Sequence, residues 1–145
     1  MAIHISYFSK VFLKLLMFCF IAACTSCARK ITFGPSTIVP AAEGRIKIKK
    51  DNNNNNKIEV EVTNLAEAKK LAPSRNTYIV WMETDGNGVK NLGQLHSSTG
   101  LFSKTLKASL STVSSFKPRR FFVSAEDDPT IQFPGPQVAL STESF

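Results

Sequence analysis

The residues that build metal and redox sites are scarce in this chain. It has three cysteines, all before residue 28, and two histidines, of which only His96 lies beyond the first few residues. A structural zinc site needs about four ligands of these kinds, and a thioredoxin-type cysteine pair opens a helix within a βαβ unit. No serine has the glycines of a nucleophile elbow around it, so a hydrolase triad has no support. The sequence therefore predicts no enzyme, with no catalytic residue, no metal and no cofactor.

The chain also lacks an apolar run long enough to cross a bilayer as a helix. Residues 11–23 span only 13 positions and include Lys14, whereas a spanning helix needs about 20 apolar residues. Lys10 and Lys14 instead precede the short apolar run Leu15 to Phe20, and small residues follow it. This three-part layout is typical of a cleaved export signal. We therefore predict that residues 1–23 are a signal peptide.

A four-residue motif, Ile21-Ala22-Ala23-Cys24, ends this segment. It resembles the lipobox of bacterial lipoproteins. The resemblance implies that Cys24 becomes the first residue of the mature chain and carries a thioether-linked diacylglycerol and an N-acyl group. Several acyl chains anchor a domain stably, whereas one chain holds it only marginally. By the same resemblance, Thr25 after the cysteine favours the outer membrane over the inner membrane.

Other interpretations of the cysteines stay open. The segment can be an ordinary secretory signal or a retained anchor, with Cys24 and Cys27 free or paired. Their two-residue separation also occurs in metal and redox motifs, but further ligands are missing. If Cys24 is acylated through its sulfur, Cys27 is either a free thiol near the membrane or a second, poorer anchor site.

The charge balance gives no sign of a nucleic-acid partner. Removal of residues 1–23 leaves sixteen basic and eleven acidic residues, hence a net charge of +5. The basic residues form short clusters without interleaved aromatics or a recognisable reader motif. We expect a solvated strand face close to anionic headgroups instead.

The mature chain is long enough for one domain. We predict a signal peptide over 1–23, a flexible tether over 24–35 and a single β-sandwich domain over 36–145, which can bury one core without disulfides.

Alternating residues predict most of the strands. Ile46 and Ile48 alternate with basic residues, and the segment from Lys57 to Thr63 repeats the pattern. Asn52 to Asn56 lie between them and predict a flexible hairpin tip that cannot pack a core. Further strands are expected at Ser36–Val39, Thr77–Thr84, Val89–His96, Leu101-Phe102, Leu106–Leu110, Val113–Phe116, Phe121–Glu126 and Gln137–Thr142, with one or two helical turns in Leu65–Leu71. About seven strands with almost no helix indicate an all-β, immunoglobulin-like antiparallel β-sandwich.

Four segments carry a second resemblance: Tyr78 to Met82, Asn91 to Leu95, Phe122 to Glu126, and Pro134 to Leu140. In order and rough spacing the chain resembles the extracytoplasmic domain of anti-sigma-K type anti-sigma factors. The resemblance implies an exported immunoglobulin-like domain. Members of that family also carry a sigma-binding segment and a membrane helix, which have no counterpart here, so direct inhibition of a sigma factor is not expected.

Several residues invite a functional interpretation that their context does not favour. Trp81 and Tyr78 lie on the expected central strand, where aromatics are usually core. His96 has no partner ligand and is expected to be exposed, and Asp85 to Gly88 lacks the acids of a calcium loop. Glu126, Asp127 and Asp128 are adjacent carboxylates, but the last two precede a proline in an expected turn.

Together these patterns predict an envelope lipoprotein, anchored to a membrane through Cys24 and facing the periplasm. Its β-sandwich would bind or scaffold a protein without catalysis. One alternative is a sensor or regulatory partner of a transmembrane signalling system, acting through strand-edge pairing. Another is a secreted β-sandwich protein without lipid.

Overall fold

The computed structural model describes residues 28–98 and 106–145, so Cys24, Cys27 and the predicted strand Leu101-Phe102 lie outside the described residues. The described chain forms nine strands and one 3₁₀ turn, Ala68–Lys70. The strands are β1 (Arg29–Thr32), β2 (Glu43–Lys50), β3 (Asn56–Thr63), β4 (Thr77–Thr84), β5 (Val89–Gln94), β6 (His96–Ser98), β7 (Lys107–Ser114), β8 (Pro118–Glu126) and β9 (Val138–Ser141).

These strands make two antiparallel sheets. The first has the order β1-β2-β3-β7-β6, and the second has the order β5-β4-β8-β9. Apart from the extra strand β1, this arrangement follows the immunoglobulin pattern of an ABED sheet packed on a C′CFG sheet. The predicted all-β sandwich is thus confirmed.

The main core lies between the sheets and follows from the alternation in the sequence. Ile58, Val60 and Val62 of β3 point inward from the first sheet, and Val80 and Phe121 point inward from the second; each is at most 1 % exposed. Because successive strand residues face opposite sides, their charged neighbours on β2 and β3 face outward.

The two central strands of the second sheet are buried on both faces. Besides its inward residues, β4 buries Ile79 and Trp81, and the paired strand β8 buries Phe122 on the same outer side. Their nearly continuous apolar sequence is typical of strands covered on both faces.

The asparagine run is ordered by Asp51 at the tip of the β2–β3 hairpin. Asp51 Oδ1 accepts hydrogen bonds from the backbone N–H groups of Asn53 and Asn55, at 2.9 and 2.8 Å. Asn54 takes a positive φ of 63°, which asparagine tolerates well. Asn56 instead begins β3, is buried, and donates from Nδ2 to the Phe116 carbonyl at 2.8 Å. The expectation that the whole run stays out of the packed domain was wrong for Asn56.

The folded domain begins before the predicted boundary at residue 36. Strand β1 pairs with β2 over its full length, and Ile31 packs against the core. This segment was predicted as part of the tether because it is short and basic. It forms a strand instead because it pairs in a fixed register with the alternating strand β2. Ser36 to Val39, predicted as a strand, forms bends in which Ser36 Oγ accepts from the backbone N–H groups of Ile38 and Val39.

Two further strand boundaries differ from the prediction. The expected strand from Val89 to His96 divides, with β5 in the second sheet and β6 in the first. The two strands separate at Leu95, and just before it Gly93, at φ 124°, lies at an irregularity in the pairing of β5 with β4, a conformation that glycine adopts without steric penalty. Strand β8 begins at Pro118, three residues before the predicted start at Phe121, since the first residue of a strand tolerates proline.

Candidate functional site

A loop over the outer face of the second sheet forms one of the two surfaces of interest. This segment, residues 127–137, is called the Phe133 loop below. Its Ile131 packs against Trp81 and Phe122, whose rings stack at a centroid distance of 6.2 Å and an interplanar angle of 15°. Trp81 is therefore buried as predicted, but it lies outside the core between the sheets and forms the floor beneath the loop.

A chain of hydrogen bonds joins this floor to the loop. Trp81 Nε1 donates to Ser124 Oγ at 2.7 Å, and Ser124 Oγ donates in turn to Glu126 Oε1. The same carboxylate oxygen accepts from the backbone N–H of Gly135 at 2.7 Å. Glu126 is only 6 % exposed, so its charge is compensated by these donors, as a buried carboxylate requires. Glu126 thus fixes the loop through its Oε1 atom.

Side chains from two other segments fasten the ends of the loop. Asn91 Nδ2 donates to the carbonyl oxygens of Pro129 and Ile131, at 3.1 and 2.8 Å. Arg75 joins the two ends of the loop, because it donates to Gln137 Oε1 at 3.0 Å and pairs with Asp127 Oδ2 at 2.5 Å. The loop is held at both ends and in the middle, so its shape is well defined.

Phe133 projects from this fastened loop into solvent. It is 84 % exposed, the highest value among the large apolar residues of the described chain. Beside it lies a shallow groove of about 600 Å³, lined in part by Val89, Lys90 and Thr130. Val89 is itself 36 % exposed. An aromatic side chain held out of the core by a braced loop is the kind of feature that anchors protein contacts.

The outer side of the first sheet is the second surface of interest. Its strands alternate, so every second side chain of β1, β2, β3 and β7 points away from the core, and most of the basic residues of these strands are among them. We call this surface the basic face; its cations are Lys30, Arg45, Lys47, Lys49, Lys57 and Lys107. Glu43, Glu59 and Glu61 are its acids.

Ion pairs tie some of these groups together. Arg45 donates to Glu61 Oε2 with Nε at 2.8 Å and Nη2 at 2.5 Å, and Lys47 lies 4.0 Å from the other oxygen. The hydrogen bonds from Arg45 are the largest cause of the lowered pKa of Glu61. Lys57 pairs with Glu59 at 3.2 Å. Arg45 and Glu61, which lie opposite each other on β2 and β3, therefore form a cross-strand charge pair.

The remaining residues singled out from the sequence do not converge on one site. His96 is exposed on β6, as expected. The Asp85 to Gly88 segment is a tight turn, with Gly86 and Gly88 at positive φ, and a hydrogen bond from Lys117 lowers the pKa of Asp85. Asp128 accepts from the backbone N–H and hydroxyl of Thr130, which lowers the pKa of its carboxyl. In residues 28–98 and 106–145, no three His, Cys, Asp or Glu side chains are grouped so that they could hold a metal ion.

The hydroxyl of Tyr78 is a polar group in an unusual position, because it lies in the core. It is buried and has no hydrogen-bond partner among the described residues. Burial raises the pKa of Tyr78 to about 12. The side chain lies at one end of the sandwich, beside the 3₁₀ turn, next to a cavity of about 390 Å³.

Sequence reasoning missed the Phe133 loop as a surface. The signal was present in Pro129, Pro134 and Pro136, which bracket Phe133 and prevent the segment from joining β9 as a strand. It was not decisive, because phenylalanine is among the residues that are most often buried.

The described residues thus form an immunoglobulin-like β-sandwich with one braced aromatic loop and one basic sheet face. No helix within residues 28–98 and 106–145 has the length and apolarity that crossing a bilayer requires. No protein-family model, curated protein or solved structure matches the chain.

Proposed function

We propose that this protein is a bacterial envelope lipoprotein, anchored by acyl chains on Cys24, whose β-sandwich binds a protein partner through the Phe133 loop. The proposed location is the outer membrane, with the domain facing the periplasm. The binding role is non-catalytic and uses the exposed aromatic ring and the adjoining groove.

The observation that carries the proposed binding role is the exposure of Phe133 on a fastened loop. Burying a phenylalanine side chain gains about 1.5–3 kcal/mol, and this gain is not used within the described domain because the ring is 84 % exposed. Asn91 and Glu126 hold the loop in one shape, so little conformational entropy is lost when a partner covers it. A preorganised aromatic beside a shallow groove suits a protein surface better than a small molecule.

The proposed anchor is supported by the lipobox resemblance at Ile21 to Cys24 and by the position of β1. Arg29, the first residue of β1, comes five residues after Cys24. A chain of this length spans at most roughly 18 Å. The domain would therefore lie close to the membrane that holds the lipid.

Two measurements test the proposal separately. The first is the intact mass of the protein extracted from membranes, beside a Cys24→Ala variant. A mass equal to residues 24–145 plus acyl chains, lost in the variant, supports the anchor. An unmodified mass would refute it and favour the secreted form.

The second measurement is photo-crosslinking in cells, with benzoylphenylalanine in place of Phe133. We expect a discrete adduct with an envelope protein, and we expect Phe133→Ala to weaken binding of that captured protein about tenfold. The matched control carries the crosslinker at Asn53, which is exposed at the tip of the β2–β3 hairpin and belongs to neither surface of interest. Equal protein adducts from both positions would contradict a specific surface.

The identity of the captured protein also decides between the proposed role and the regulatory alternative. A transmembrane signalling protein would support a regulatory partner acting on that system. An abundant structural protein of the envelope would support scaffolding.

A further inference from the structure

The basic face places like charges directly opposite each other. In the register of the first sheet, Lys30 is the partner of Lys47, and Lys49 is the partner of Lys57. Like charges at directly opposed positions destabilise a sheet. Two such pairs on neighbouring strands indicate a surface whose charge serves a purpose other than folding.

The acids on this face neutralise only part of it. Glu61 is shared by Arg45 and Lys47, and Glu59 is used by Lys57. Among the described residues, the other three cations have no carboxylate within ion-pair distance. These are Lys30, Lys49 and Lys107, all of them exposed.

Short side chains lie between these cations, so the ammonium groups project beyond the surface around them. Ser111 and Ser109 of β7 lie opposite Glu59 and Glu61, on the same outer side. These ammonium groups can therefore contact negative charges that are arranged in a plane.

We propose that the basic face docks on the phosphate groups of anionic lipids in the membrane to which the protein is anchored. This inference rests on the proposed lipid at Cys24, because the anchor brings the face to the bilayer. Lys30 belongs to β1, the strand nearest that anchor in the chain. The segment from Cys24 to Arg29 spans at most roughly 18 Å. This is comparable with two Debye lengths of about 8 Å each at physiological salt, so the negative charge of the headgroups attracts the basic face.

The two surfaces then have separate roles. The Phe133 loop covers the outer side of the second sheet, whereas the basic face is the outer side of the first. When the basic face lies on the membrane, Phe133 points away from it toward protein partners. The proposed orientation therefore leaves the proposed protein-binding surface free.

Site-resolved lysine labelling tests this orientation. The lipidated full-length mature protein is reconstituted into vesicles of phosphatidylcholine alone or mixed with phosphatidylglycerol. It is then reacted with an acetylating ester and digested for mass spectrometry. We expect Lys30, Lys49 and Lys107 to react at least about fivefold more slowly on the anionic vesicles, the factor that one lysine near an anionic surface supplies. High salt should abolish this protection.

Lysines elsewhere provide the internal control. Lys90 on β5 and Lys117 before β8 should react at the same rate on both kinds of vesicle. Equal labelling of the basic face on the two kinds of vesicle would overturn the proposal, and so would protection that is insensitive to salt. Protection that appears only when envelope proteins are added would also overturn it and would assign the face to an acidic protein.

A further experiment distinguishes an error in the proposed lipid anchor from an error in the proposed docking of the basic face. A protein without acyl chains, seen by its mass, refutes the anchor but still allows co-sedimentation with the anionic vesicles. Salt-sensitive binding should then be lost in the triple variant K30Q/K49Q/K107Q and kept in K69Q/K117Q/R119Q, which removes the same charge from exposed positions outside the basic face. Equal binding by the two variants would refute the role of the basic face.

Discussion

Ser124 links the aromatic floor of the second sheet to the Phe133 loop, and its removal should be strongly destabilising. The hydroxyl accepts from Trp81 Nε1 at 2.7 Å and donates to Glu126, and both Trp81 and Ser124 are fully buried. Ser124→Ala leaves the indole N–H without an acceptor, which costs about 1–3 kcal/mol, and removes a hydrogen bond to a charged acceptor, worth about 1.5–3 kcal/mol. Since the two effects share one network, we expect a total of about 2–4 kcal/mol.

Thermal unfolding measures this loss. For a domain of this size each kcal/mol lowers Tm by roughly 4 °C, so Ser124→Ala should lower it by about 8–16 °C. Circular dichroism and the fluorescence of Trp81, the single tryptophan, should report the same transition. The matched control is Ser111→Ala on the exposed outer side of β7, with an expected change within about 2 °C.

A double-mutant cycle separates the network from simple packing. In a Trp81→Phe background the indole donor is absent, so Ser124→Ala should destabilise by about 1–3 kcal/mol less than in the unchanged protein. A Ser124→Ala protein that unfolds at nearly the same temperature as the Ser111→Ala control would refute the reasoning. Equal costs in both backgrounds would show that the indole N–H has another acceptor.

Two further substitutions test the loop and the core. Gly135→Ala would place a Cβ 2.7 Å from Glu126 Oε2, so we expect a loss of about 1–3 kcal/mol in urea unfolding; Gly34→Ala, whose Cβ would meet its nearest atom at 3.5 Å, should be nearly neutral. Tyr78→Phe removes a buried hydroxyl without a described partner and should raise stability at neutral pH by up to about 2 kcal/mol. The pKa of Tyr78 is raised from 10.0 to about 12, so the Tyr78 hydroxyl loses its proton at a lower pH in the unfolded chain than in the folded protein. The unchanged protein therefore loses stability as the pH rises between these two pKa values. Tyr78→Phe should therefore show a smaller alkaline loss, and an equal loss would contradict the burial of the hydroxyl.

Periodicity predicted the elements whose two faces differ in polarity. Strict alternation from Arg45 to Lys49 and from Lys57 to Thr63 fixed both strands of the first hairpin, because a register slip of one residue would expose Ile46 and Ile58. The apolar segment around Trp81 was also predicted correctly as the central strand. In these segments the local pattern and the tertiary packing favour the same strand, so the pattern alone was enough to predict it.

The pattern failed where the partner strand decides the structure. Strand β1 is short and basic and becomes a strand only because β2 offers an unpaired edge. Likewise, the sequence indicated that Trp81 is buried but not on which side, since both faces of β4 are apolar. The cover supplied by Ile131 lies 50 positions further along the chain, beyond the reach of any local pattern.

The placement of the two proposed surfaces on opposite sheets makes their independence testable. The basic face uses side chains that point outward from β1, β2, β3 and β7, and none of them lines the groove beside Phe133. K30Q/K49Q/K107Q should therefore keep the protein adduct formed at Phe133 while losing the lipid-dependent protection of the first sheet. Phe133→Ala should instead weaken binding of the captured protein and keep the lipid-dependent protection, with Tm unchanged, because an exposed side chain contributes little to folding. Loss of both properties in either variant would mean that one partner covers both surfaces, and the membrane orientation would have to be abandoned.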